Sequence, residues 1–221
     1  LQGKKWVFDN VTAEGQIRFG DWFQVCNTVA TLCNDAFLLE CYRQEEGYYI
    51  LPNGDRIEEE VVKPAVSRKR RDEACAMIFP YAYEAGELRH YTDEEFRERF
   101  PCAVEHLERF RERLKKRASD KNAAWFEYGR GQALQKIQYR KAVLPSILTN
   151  RVRVTIAAEG VIPCAGFMII ELDGHTLEDA KNILESPEFY RYLRQNGIFT
   201  TGKSRRLTVK DIENYTFDAW R

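Results

Sequence analysis

The segment Trp125-Phe126-Glu127-Tyr128-Gly129-Arg130-Gly131-Gln132-Ala133-Leu134 sets a guanidinium and a carboxamide beside two glycines. Glycine lets backbone approach another surface closely. Arg130 and Gln132 are the residue types that fork onto guanine and adenine edges, so with Tyr128 they are candidates for contacts in a DNA groove. The structural alternative is that Trp125 and Phe126 pack a core and that Arg130 pairs with an acid such as Glu127. For Trp125 the core is the favoured place. Cationic side chains elsewhere suit a phosphate backbone. The Arg68-Lys69-Arg70-Arg71 cluster is one such group. Lys136, Arg140, Lys141, Arg151 and Arg153 are expected to touch phosphates rather than read bases. Lys203, Ser204, Arg205 and Arg206 form a third group.

The zero net charge hides segregation. Residues 113–155 carry 11 basic and 2 acidic side chains, whereas residues 1–60 carry 5 and 11. Basic blocks at 63–71, 113–153 and 203–206 could converge on one polyanion-binding face. Each could equally be solvated surface balanced by nearby acids, and charge alone does not separate the two.

Other chemistry finds no anchor. No GxGxxG, GxxxxGK[ST], HExxH or GxSxG occurs. The six cysteines, at 26, 33, 41, 75, 102 and 164, form no CxxC pair and have only three histidines to help them. Reduced, mostly buried thiols in a cytoplasmic protein are expected, with no metal site and no catalytic residue. No apolar run approaches the roughly 18 residues of a membrane span. The first residues, LQGKKWVFDN, hold neither a signal core nor an initiator Met, which reads as a piece of a longer or processed polypeptide. Binding is the favoured class.

These side chains need elements to position them. Patterning predicts strands at 22–27, Ala36–Tyr42, Gly47–Leu51, Ala76–Tyr81, Arg151–Ile156 and Val161–Leu172, with Pro64 ending an ambiguous stretch from Glu58. Thr92 with Glu95 reads as a capping box for a helix bearing Phe96 and Phe100. Pro101 opens a second helix that runs to about Arg117. Thr176 with Asp179 and the Ser186-Pro187 step open two more. Elements in blocks rather than strict alternation predict an α+β fold with mixed or antiparallel sheets and several helices. The 221 residues are expected to form one domain, with two lobes (1–90 and 91–221) as an option.

Val29-Ala30-Thr31-Leu32-Cys33-Asn34-Asp35-Ala36-Phe37-Leu38-Leu39, taken with the Trp125 segment, is more specific. The chain resembles the C-terminal target-recognition domain of adenine-specific DNA N6-methyltransferases of restriction–modification systems, the TaqI-type branch. That family's pattern is T-x-x-N-x-x-F, K-P, I-F-P-Y, L-x-x-R and W-[FY]-E-x-G-R-x-Q. Here it is met in order by Thr31/Asn34/Phe37, Lys63-Pro64, Ile78-Phe79-Pro80-Tyr81, Leu114/Arg117 and Trp125 to Gln132. Phe199-Thr200-Thr201-Gly202-Lys203-Ser204 matches the closing region, so the resemblance covers nearly the whole chain.

The resemblance implies a bacterial, cytoplasmic specificity domain. It would grip double-stranded DNA while an N-terminal methyltransferase domain of the same polypeptide receives the flipped adenine and uses S-adenosylmethionine. The cofactor loop and the Asn/Asp-Pro-Pro-Tyr/Phe motif of that catalytic half are missing here. Ile78-Phe79-Pro80-Tyr81 has one proline and no amide residue. This chain alone is therefore expected to bind no cofactor and to methylate nothing. Thr31 and Asn34 are expected to organise a turn. A non-catalytic domain for an acidic protein, or an RNA-binding accessory domain, remain as alternatives.

Overall fold

The computed structural model describes residues 16–66, 75–149, 151–172, 174–200, 202 and 204–218. Arg68, Lys69, Arg70, Arg71 and Lys203 lie outside the described residues. The fold is α+β, with several mainly antiparallel sheets and short helices.

A four-stranded antiparallel sheet runs through the middle. Its order is Thr155–Ala157, Lys141–Leu144, Phe167–Glu171, Phe23–Asn27. Side chains alternate across a strand, and this sheet uses both faces. Met168 enters a first hydrophobic core, with its partner Cys26 packed against it, while Val25, Ala142, Leu144, Phe167 and Ile169 enter a second. The first core is built on a second sheet, ordered Ile162–Pro163, Val62–Val66, Cys75–Ile78, Leu38–Leu39. Phe96 and Leu107, from the helices Asp93–Arg99 and Pro101–Glu108, and Phe100 at the junction between them complete it. The second core takes Leu177, Ile183, Phe189, Leu193 and Ile212 from the helices Leu177–Leu184, Pro187–Asn196 and Val209–Glu213. The first core draws on residues from Val29 to Met168, on both sides of the turn near 86–92.

Local signals act as expected where the chemistry is local. The Thr92–Glu95 and Thr176–Asp179 capping boxes form reciprocally, Pro101 and Pro187 occupy first helical turns, and Ser186 caps its helix. Tertiary contacts alter the rest. Asn34–Phe37 is a helical turn, with only Leu38–Leu39 paired as strand, because the Phe37 ring packs edge-on against Tyr128. The strand Val62–Val66 continues through Pro64, whose parallel neighbour joins only from Ala65. The helix opened by Pro101 breaks at Arg109 and Phe110, where both amides turn back three residues and Arg109 reaches Asp55. Val152 and Val154 are buried and Arg151 and Arg153 exposed, as the alternation predicts. Only Thr155–Ala157 pairs as strand there, since Glu185 takes the Val154 amide at 2.7 Å.

The predicted strand Val161–Leu172 is cut in two by Gly166, where the chain leaves one sheet for the other. Gly166 has φ +106°, and a Cβ there would sit 2.3 Å from the Leu144 carbonyl oxygen. Gly166→Ala should therefore lower the unfolding free energy by about 2 kcal/mol, read from urea denaturation.

Candidate functional site

The segments around Thr31 and Trp125 meet around Arg117 and Tyr128. The Arg117 guanidinium donates to the carbonyls of Leu114, Thr31, Trp125 and Glu127. The Gly129 amide also donates to the Thr31 carbonyl, and Ala30 bridges Arg130. The Thr31 hydroxyl donates to Asn34 Oδ1 and accepts from the Cys33 amide, so these two residues do organise a turn. Phe126 stacks on Phe96 at 4.2 Å within the core. Trp125 is half-buried, donates to Asp93 Oδ1 at 2.6 Å, and lies under the Arg111 guanidinium.

Tyr128 is corrected from groove contact to core residue. Its hydroxyl donates to the Ile78 carbonyl at 2.7 Å, its amide donates to the Tyr81 hydroxyl, and its side chain is buried. Burial pushes its phenol well above the ordinary value. Arg130 pairs with Asp120 at 2.8 Å, not with Glu127. The buried Glu127 carboxylate faces His90 and the Ala124 amide instead.

Lys141 is likewise corrected. It is fully buried, and its ammonium donates to the carbonyls of Ile137, Ala158 and Val161 at 2.9–3.2 Å. It knits three chain segments and reaches no surface. Arg140 pairs with Glu178 and Arg113 with Asp35. Lys136 sits beside the Cys26 thiol. The basic block at 113–153 is thus not one cationic face, because its members divide between core, surface pairs and free positions. Among the described residues, Arg151 and Arg153 are exposed without an ion pair. Ser204 shares a hydrogen bond with Thr149, and the Arg205 guanidinium lies over the exposed Phe199 ring.

The structure does bring one group of residues together. A groove of about 960 Å3 is lined by residues from Asn27 to Asn34, by Gln132 and Ser146, by Cys164 to Phe167, and by Arg206 to Lys210. Gln132, Arg206 and Lys210 are exposed, and among the described residues neither cation has a carboxylate partner. The Thr208–Asp211 capping box starts the short helix that carries Lys210. Leu32, 46% exposed, is part of the same lining at φ +57°. Sequence reasoning missed Lys210 and Leu32. The capping box was a readable signal for the first, whereas a left-handed leucine has none.

Among the described residues, no cluster of three or more His, Cys, Asp or Glu could hold a metal ion, and no helix is long and apolar enough to cross a membrane. No family model matches the chain, and no curated protein is significantly similar to it.

Arg117→Met leaves four carbonyls without their donor and should cost about 3 kcal/mol in urea unfolding. Burial pushes the Lys141 ammonium down to about 8. That is below the unfolded value of about 10.4, so across this window the unfolded chain binds the extra proton. The stability of the parent relative to Lys141→Met should therefore rise from about pH 8 to about pH 10 and be flat below, checked by urea unfolding of both proteins.

Proposed function

We propose that this chain recognises double-stranded DNA, as the specificity domain of a TaqI-type adenine-N6 DNA methyltransferase. The observation that carries the reading is the groove. The segment around Thr31 and the segment ending at Gln132 lie about a hundred residues apart in sequence, yet they line one open channel with Arg206 and Lys210. A duplex offers anionic phosphates flanking polar base edges. Arg206 and Lys210 suit the phosphates, and the Gln132 carboxamide suits an adenine edge. Arg151 and Arg153 extend the phosphate contacts, and Arg130 joins them on exchanging Asp120 for DNA. The same reading assigns S-adenosylmethionine and the methyl transfer to a methyltransferase domain of the same polypeptide, in a bacterial cytoplasm. Exposed Ile198 and Phe199, on an edge strand, offer that domain an apolar contact.

The test is fluorescence anisotropy of a mixed-sequence duplex across salt concentrations. Affinity should fall steeply with salt, with a log–log slope of about −0.9 per neutralised phosphate. Arg206→Ala and Lys210→Ala should each flatten the slope by about 1 and weaken binding evenly across sequences. A flat salt response overturns the phosphate-driven part of the reading, and competition by heparin but not by duplex DNA overturns it in favour of an acidic protein partner. Preference for single-stranded RNA overturns it in favour of the accessory-domain alternative.

A further inference from the structure

We propose that Leu32 is a wedge that enters a base step of bound duplex DNA; the inference rests on the DNA reading above and concerns the same groove. Leu32 has φ +57°, in the left-handed region that an L side chain with a Cβ rarely occupies. The residue is 46% exposed, while Thr31 and Cys33 on either side are buried. A leucine that merely filled space would relax into an extended or helical backbone and turn inward.

The conformation is held from outside the tip. Arg117 and the Gly129 amide both donate to the Thr31 carbonyl, and the Thr31 hydroxyl binds Asn34 and the Cys33 amide. Gly129 supplies the seat. A Cβ on it would come within 2.5 Å of Leu32 Cδ1, so the leucine lies directly on bare backbone. The strain is thus imposed by the frame and falls on a part-exposed apolar side chain that rests on Gly129 and belongs to the groove lining. Strain of this kind persists only where its surroundings over-determine it, and it gathers at functional positions.

The occupant follows from what lines the same groove. Arg206 and Lys210 are exposed, and neither has an ion-pair partner among the described residues. Cations beside an apolar tip match a polymer whose charge lies outside and whose flat apolar faces lie inside. A stacked base step bounded by phosphates has that order. Proteins that insert an apolar side chain between base pairs partly unstack them and bend the duplex.

Two readouts test the wedge without knowledge of the recognised sequence. In the first, relaxed closed-circular plasmid is treated with topoisomerase I in the presence of the protein and then deproteinised. Insertion unwinds the helix, so the parent chain should shift the topoisomer distribution. Leu32→Gly and Leu32→Asn both suit a left-handed backbone and should fold as the parent does, checked by circular dichroism. Both should lose the shift. In the second, anisotropy on a mixed-sequence duplex should show both variants binding about 10-fold more weakly at every salt concentration, with an unchanged salt slope. Salt-dependent binding by the parent without a topoisomer shift, or a shift that survives both substitutions, overturns the wedge and leaves DNA recognition standing. Absence of any salt-dependent duplex binding overturns both.

Discussion

A guanidinium with carbonyl partners organises this molecule. Arg117 sits half-buried and, among the described residues, donates to backbone oxygens rather than to a carboxylate. Burial pushes its pKa down, the expected result when a cation leaves water. Desolvation of such a group is costly unless its donors are satisfied. Here four carbonyls satisfy them, and the Phe37 ring lies beneath the cation. Two of those carbonyls belong to the Trp125 segment, one to the helix that ends near Arg117, and one to Thr31, 86 residues away in the chain. With the Gly129 amide on the same Thr31 carbonyl and the Ala30–Arg130 bridge, the Arg117 side chain sets the spacing between the two motif segments. The turn that presents Leu32 and the glycine beneath it are fixed as a result.

Charge in this protein has three fates. Arg117 and Lys141 became internal ties between backbone segments. Arg113, Arg130 and Arg140 joined surface pairs, which contribute little to stability because solvent screens them. Arg206, Lys210, Arg151 and Arg153 stayed exposed and, among the described residues, without a carboxylate partner. The density of basic residues between 113 and 155 overstates the cationic surface, because composition counts side chains without regard to what surrounds them. Of the exposed cations, Arg206 and Lys210 lie in one groove.

That groove lies where the two cores approach each other. The shared central sheet gives alternate faces to each core, and Asn27 and Phe167, paired across it, are both in the groove lining. Gly166 turns the chain there in a conformation only glycine adopts without strain, with the Leu144 carbonyl close behind it.

By itself the sequence determined what depends on neighbours within a few residues. The capping boxes at Thr92 and Thr176, the proline starts at Pro101 and Pro187, the strand expected at 22–27 and found at Phe23–Asn27, and the α+β class all follow from spacing and residue type. The turn made by Thr31 and Asn34 belongs with them, since its hydrogen bond spans three residues. Tertiary structure decided the rest. It buried Lys141 and Tyr128, whose types read as surface and groove, since carbonyls and rings distant in sequence were placed to receive them. It broke the helix at Arg109 because Asp55 lay within reach, and it held Leu32 in a backbone conformation that no leucine signals. The physical reason is range: caps and turns close through bonds between near neighbours, whereas burial and pairing are set by groups that meet only after the chain has folded.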